Sequence, residues 1–277
     1  ASVVRTDTLI LIFTLNFRYY FYMKKILTII VLTLLIDGNT YAETAIEKYF
    51  VKELDVFGIK ILGLKNTPDT KMQIAKSILE QWLDNDNDHK PDNILVVNQL
   101  VENNCSMTMG KSIQKIDNIL DKKLIEEGVS EVQVNRMFAL ASNEPRIAYL
   151  EEILHMITSC GYAEVYPKVF GEEKGTKIAL AMDKARGGFF DKIPKSYPKD
   201  AWYTYDDTYC DYSCMITEYF YWSLTSYLGI QKNRFNEISE EWKFNTKEKM
   251  MEDLLMIDLL NNEKFKIPKI APSFDIN

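Results

Sequence analysis

The chain reads as a helix-rich α+β protein with a small sheet near its N-terminal end. Three observations predict this. Apolar residues recur at helical spacing in most stretches beyond residue 70. Alternating or short apolar runs, the mark of strands, are confined to the first half of the chain. The composition is 47% hydrophobic and 26% charged, ordinary for a globular chain of 277 residues with a sizeable core. Many of the 16 tyrosines and 14 phenylalanines fall between Phe189 and Tyr227, which places much of that core late in the chain.

The elements follow in order. YFVKELDVFGIKILGLKN (49–66) alternates in places and predicts one or two strands. Pro68-Asp69-Thr70 punctuates it. In TKMQIAKSILEQWL (70–83), Met72, Ala75, Ile78, Leu79 and Trp82 share one helical face. ILVVNQLVENN (94–104) suits a helix or a strand, CSMTMG (105–110) a short strand, and GKSIQKIDNILDKKLIEEG (110–128) a mixed amphipathic stretch. VSEVQVNRMFAL (129–140) reads as a strand or sheet edge. Ser142-Asn143-Glu144-Pro145 starts a helix, and Gly161 is placed to stop it. GEEKGTKIALAMDKARGGFF (171–190) predicts a helix ending at Gly187-Gly188. A loop rich in Pro and Tyr follows, then an apolar helix over 213–230, a last amphipathic helix over 246–260, and an extended tail.

The N-terminal region reads differently. Met23 is the first methionine, and residues 1–22 read as an over-extended gene start or a remnant outside the mature fold. From Met23, Lys24 and Lys25 form a positive head. Residues 26–36 are eleven uncharged, mostly apolar positions, and Thr40-Tyr41-Ala42 offers small residues for cleavage. This is the layout of a secretory signal peptide over 23–42. Eleven residues are too few to span a bilayer. The alternative is an uncleaved membrane anchor that also uses LILIFTLNF (9–17). After cleavage no stable membrane span is expected. The net charge of −7 argues against nucleic acid, which needs clustered Lys and Arg.

Four cysteines, Cys105, Cys160, Cys210 and Cys214, suit an exported protein. They allow three full pairings, and the sequence does not choose among them. Cys210 and Cys214 are near enough to bridge where the backbone permits. Their irregular spacings do not support a four-cysteine zinc site.

Two stretches carry chemistry. The first is EEILHMITSCGY (151–162). Ile147, Leu150, Leu154 and Ile157 form an apolar stripe, with Glu151 at its border and His155 just beyond. At i and i+4, Glu151 and His155 share a face. In the apolar helix downstream, Glu218 is the lone charge between Tyr212 and Gln231. A buried carboxylate needs a partner, a metal or a proton. Either a ligand role or an ion pair with Arg186 or Lys184 answers that need. Tyr205, Tyr209 and Tyr212 precede or open this helix and offer hydroxyls to a developing oxyanion. The second stretch is LDNDNDHKPDN (83–93). Asp84, Asp86, Asp88 and Asp92 are spaced like the first nine positions of a calcium loop. His89 stands where such loops carry Gly, and Leu95 where they carry the bidentate Glu.

IAKSILEQWLDNDNDHKPDN, EEILHMITSCGYAEVYP, ARGGFF, AWYTYDD and CMITEYFYW together resemble an uncharacterised group of exported proteins similar to the zincin metallopeptidases in two helices. The resemblance covers most of residues 50–270. It implies a single zincin-like domain over 43–277, whose part 43–140 carries the acidic loop. It implies that His155, Glu218 and Glu151 hold a divalent transition metal (zinc, manganese or iron), with Glu152 activating water. Glu151 stands where zincins carry histidine. Tyr212 is taken as the hydroxyl donor. The resulting expectation is a secreted, metal-dependent hydrolase acting on peptides or proteins. The alternative is a non-catalytic, calcium-binding extracellular protein on the same scaffold. A redox or di-metal carboxylate role needs a second E-x-x-H, which the chain lacks.

Overall fold

The computed structural model describes residues 42–274, so residues 1–22 and, except for Ala42, the expected signal peptide 23–42 lie outside the described residues. A short helix α1 (42–49) opens the fold. Strands β1 (Phe50–Val56) and β2 (Ile59–Leu64) form an antiparallel hairpin. Phe57 and Gly58 turn it with φ of 53° and 89°, the paired positive φ that tight hairpins favour. β2 then pairs in parallel with β3 (Ser106–Gly110), and β3 in parallel with β4 (Met137–Ala141). The four-stranded sheet runs in simple order β1-β2-β3-β4.

Parallel neighbours need crossover connections, and helices supply them. Helices α2 (Asp69–Leu83) and α3 (Ile94–Glu102) join β2 to β3. Thus 94–104 is a helix. Its side chains Val96, Val97 and Leu100 pack inward at i, i+1 and i+4. α4 (Ile113–Asp117) runs into a wide helical turn (Asn118–Leu124), and α5 (Glu131–Val134) completes the crossover to β4. The segment 129–140 therefore splits. Ser130 caps α5 by accepting from the Gln133 N–H, and only the Met137–Ala141 half joins the sheet.

Strand alternation divides the sheet between two apolar clusters. Ile59, Ile61, Met107, Met109 and Leu140 face the larger core. Leu62, Leu64 and Met137 face a smaller one, with Phe50 and the residues around α4 and α5. Both faces are thus covered, as a largely parallel sheet requires.

The motif helix α6 (Arg146–Ile157) follows β4 and continues through a wide turn (Thr158–Tyr162) into α7 (Ala163–Val165). Gly161 does not end it. A Cβ there would lie 2.7 Å from Val96 Cγ1, so the glycine lets α3 approach closely. Cys105, at the entrance to β3, is bonded to Cys160 in this turn. Closing the 55-residue separation stabilises the fold by about 4 kcal/mol on chain-entropy grounds. Helices α8 (Pro167–Phe170) and α9 (Lys177–Ala185) come next.

α10 (Tyr212–Tyr227) is the expected apolar helix and lies deep in the core. Its cap Asp211 accepts from the Cys214 N–H. Cys210 lies just before the helix and bridges to Cys214 with Cα atoms 5.2 Å apart. The chain closes with α11 (Phe235–Ile238), α12 (Lys247–Met250) and α13 (Leu254–Leu260). The single helix expected over 246–260 is two, because Asp253 caps the second by accepting from Met256 N–H. Tyr219 and Trp202 also donate to this buried carboxylate. No helix among the described residues is long and apolar enough to cross a membrane. No described cysteine is free, and two disulfides suit an extracytoplasmic setting.

Candidate metal centre

Two helices build the centre. α6 presents Glu151, Glu152 and His155 along one edge, and α10 lies across it with Glu218. One ligand atom from each of Glu151, His155 and Glu218 lies within 4.8 Å of the other two. His155 Nε2 faces Glu218 Oε2 at 3.7 Å. That is too long for a hydrogen bond, and both atoms are buried without a hydrogen-bond partner. It is close to the roughly 3.4 Å between two ligands of a tetrahedral ion with bonds near 2.1 Å. Orphaned buried polar atoms are rare, and each calls for an explanation. Here two of them point at each other across a gap of ligand-to-ligand size.

The residues fit a divalent cation. An imidazole and two carboxylates suit zinc, manganese or iron(II). The electrostatics without a cation are tense. Burial and the neighbouring Glu218 charge push Glu151 up from 4.5 to about 7, against the pull of His155 and a Tyr221 hydrogen bond. Burial also raises the Glu218 carboxyl. Burial alone would lower His155, but the charges of Glu218, Glu152 and Glu151 outweigh it and raise the imidazole from 6.5 to about 9. Three acids thus gather around one imidazole and favour its protonated form.

Among the described residues Glu218 forms no ion pair with Arg186 or Lys184; its ionic neighbour is His155. Arg186 is fully buried elsewhere, donating to the Phe190 carbonyl and the Tyr197 hydroxyl between those two rings. Glu152 is on the other side of the His155 ring, with Oε2 3.8 Å from Nδ1. From there its charge helps hold a proton on the imidazole. Tyr212, the expected hydroxyl donor, is engaged with Asp183 at 3.1 Å to both oxygens. Tyr209 is almost fully exposed. Tyr205 is the tyrosine of that run whose hydroxyl feels Glu218 and Glu151.

Tyr221 was not picked out by the sequence reading. It follows Glu218 by one helical turn, is fully buried, and its hydroxyl helps hold the Glu151 carboxyl down. It also meets the His155 ring edge-on at 5.8 Å. Gln231 Nε2 donates to the Tyr221 hydroxyl at 3.2 Å, and Arg234 donates to Gln231 Oε1 at 2.8 Å. The i+3 spacing from Glu218 was a legible signal for Tyr221. Gln231 had none.

The acidic loop joins α2 to α3. Asp84, Asp86 and Asp88 each place a carboxylate oxygen within 4.8 Å of the others. Asp84 is buried, and the other two are exposed. Asn87 and His89 have φ of 60° and 66°. His89 thus adopts the left-handed turn for which calcium loops use glycine. Asp92 does not join the trio; its Oδ2 accepts from the Asn85 N–H at 2.7 Å.

Two surface hollows, of about 330 and 230 Å³, lie away from the buried centre. One borders α1 and the β2–β3 edge, and the other lies between the acidic loop and the C-terminal tail. No family model, curated protein or solved structure gives a significant match to the chain.

Proposed function

We propose that the protein is a metal-dependent hydrolase of peptides, with a zincin-like pair of helices holding the ion. The carrying observation is the pair of buried, partnerless atoms, His155 Nε2 and Glu218 Oε2, with Glu151 beside them. In this reading Glu151, His155 and Glu218 bind the cation. A divalent ion bound there polarises a carbonyl and lowers the pKa of water. Glu152 supplies the general base. Its side chain is 39% exposed, so a turn about its torsions carries it from His155 Nδ1 towards an incoming nucleophile. Export fits the two disulfides and the leader-like sequence.

The test is the metal content of purified protein beside that of His155→Ala. Near-stoichiometric transition metal in the native protein and its loss in the variant support the reading. Glu152→Gln keeps the size of the side chain but removes the base. It should retain the metal and lower peptide turnover by roughly 10²–10⁴-fold. If the native protein carries no transition metal, the reading falls.

A second reading rests on Asp84, Asp86 and Asp88 converging in a helix–loop–helix. It makes the protein an extracellular calcium binder of roughly millimolar affinity. Calcium retained by His155→Ala, with no transition metal in the native protein, favours it.

A further inference from the structure

α10 ends in a turn that folds the chain back over the helix's own last residues. Gly229 has a φ of 80°, which glycine adopts without strain. The Ile230 N–H donates to the Thr225 carbonyl at 2.8 Å and the Gly229 N–H to the Ser226 carbonyl at 3.0 Å, the paired bonds that close a helix C-terminus. This reversal brings Gln231 back against Tyr221 and Thr225, and all three residues are fully buried.

The direction of each hydrogen bond around Gln231 follows from what each group can do. A guanidinium only donates. Arg234 Nη1 lies 2.8 Å from Gln231 Oε1, so the amide oxygen is the acceptor there and the amide nitrogen faces inward. Arg234 is itself held, with Nε 2.9 Å from Glu237 Oε2. Gln231 Nε2 then donates to Thr225 Oγ1 at 3.0 Å and to the Tyr221 hydroxyl at 3.2 Å. The Thr225 hydroxyl gives its own proton to the Tyr221 carbonyl at 2.6 Å. The Tyr221 phenol oxygen is thus an acceptor on its Gln231 side, and its proton has to point another way. The Tyr221 ring meets the His155 ring edge-on at 5.8 Å between centroids, and its hydroxyl acts on the Glu151 carboxyl. A buried polar network whose members are satisfied specifies one arrangement.

We propose that Gln231, locked by Arg234, is a positioning residue that turns the Tyr221 O–H towards Glu151 and so holds the Glu151–His155 edge of the centre in its binding arrangement. This rests on the metal-centre reading for its purpose, but the orientation itself needs no ion. Three side chains carry order inward. Arg234 is partly exposed, Gln231 is buried behind it, and Tyr221 stands against the ligands.

The test uses the full chain, with Zn²⁺ alone as the probe and a chromogenic chelator as competitor. Gln231→Met should lower Zn²⁺ affinity roughly tenfold, the lower end for a partner behind a ligand. In a Tyr221→Phe background the same substitution should cost nothing more, because the hydroxyl it orients is gone. Thr225→Val removes the other acceptor of the Gln231 amide and should leave the affinity unchanged. Arg234→Met unlocks the amide from the surface. It serves if Gln231→Met folds poorly, and should give a smaller loss that again disappears in Tyr221→Phe. Imidazole NMR in chelator reads the positioning without metal. The chain has two histidines, so in a His89→Asn background the His155 ring signals stand alone. They should shift in Gln231→Met and stay in place in Thr225→Val. A native protein that binds no Zn²⁺ removes the hydrolase reading and leaves the NMR comparison to decide the positioning. His155 signals that ignore Gln231→Met overturn the proposal. So do additive losses in the double variant, or a loss in Thr225→Val as large as that in Gln231→Met.

Discussion

The molecule holds two clusters of carboxylates, and they are solved in opposite ways. In the loop between α2 and α3, backbone N–H groups answer the acids. Asp84 accepts from Asp88 and His89, Asp86 from Asp88, Asp88 from Lys90, and Asp92 from Asn85. In the centre between α6 and α10, Glu218 Oε2 and His155 Nε2 are buried and answered by nothing. The loop is folded by its own acids. The centre is strained by them. A cluster that pays for its burial without internal partners is the one that demands an external ligand.

Removing a carboxylate from each cluster should therefore have opposite effects. Glu218→Met replaces a buried, orphaned charge with an apolar side chain of similar volume. Burying this carboxylate costs desolvation that Met does not, and His155, which faces it at 3.7 Å, is free to shed its proton when the charge is gone. The metal-free variant should melt no lower than the native apoprotein, while its transition-metal affinity drops by more than about 100-fold, beyond the usual cost of losing a residue behind a ligand. Asp84→Ala should instead cost about 1–3 kcal/mol, because it strands two N–H groups. Denaturant melts of both variants, with and without metal, decide this. A large loss of apoprotein stability in Glu218→Met would show that the centre is held by its own ion pair.

Acidity sharpens the contrast. Both His155 and Glu151 have folded values above their ordinary ones, about 9 against 6.5 and about 7 against 4.5. A group raised in the folded state contributes stability that is present below its unfolded value and lost as pH rises through its folded one. The metal-free protein should therefore weaken between about pH 4.5 and pH 9. Metal binding displaces protons from both groups, so affinity should rise over pH 7–9. Melting curves in chelator should fall with pH across this window, and those in excess metal should not.

A smaller effect concerns the residue behind the ligand. Tyr221→Phe removes the hydroxyl that lowers the Glu151 carboxyl and leaves the ring against His155. Metal affinity should fall roughly tenfold, at the lower end for such partners. Competition with a chromogenic chelator measures it, and an unchanged affinity would make the hydroxyl incidental.

The smallest effect belongs to the loop. Calcium at ten times a millimolar dissociation constant stabilises by about 1.4 kcal/mol. That corresponds to about 3–5 °C in a domain of this size. Asp86→Asn should abolish the shift. No calcium-dependent shift in the native protein would reduce the loop to a self-capped turn.

Much of this was legible in the sequence. The helical face of Met72, Ile78, Leu79 and Trp82 and the all-apolar stretch around Glu218 are local patterns, and the structure repeats them. The cost of burying a lone acid said that Glu218 needs a partner, and the zincin resemblance pointed to His155, 63 positions away. What failed was tertiary. Gly161 looked like a helix stop because the close approach of Val96 is invisible along the chain. The break at Asp253 depends on Tyr219 and Trp202, which lie far from it in sequence. Tyr212 sat beside the right helix end, but its hydroxyl found Asp183 on α9. The zincin resemblance remains a reading of two helices.

The Cys105–Cys160 bridge has a consequence in time. It spans β3, β4 and the whole motif helix, and it fastens the far end of that helix to the entrance of a central strand. Until it closes, the turn carrying Cys160 lacks its covalent tether to the sheet. Thiol oxidation takes seconds to hours, far slower than helix formation. A chain kept in a reducing compartment thus carries the ligands of the centre without the bond that locks their scaffold. The oxidation state of one cysteine pair becomes a maturation clock, set by the redox state of the compartment that holds the chain.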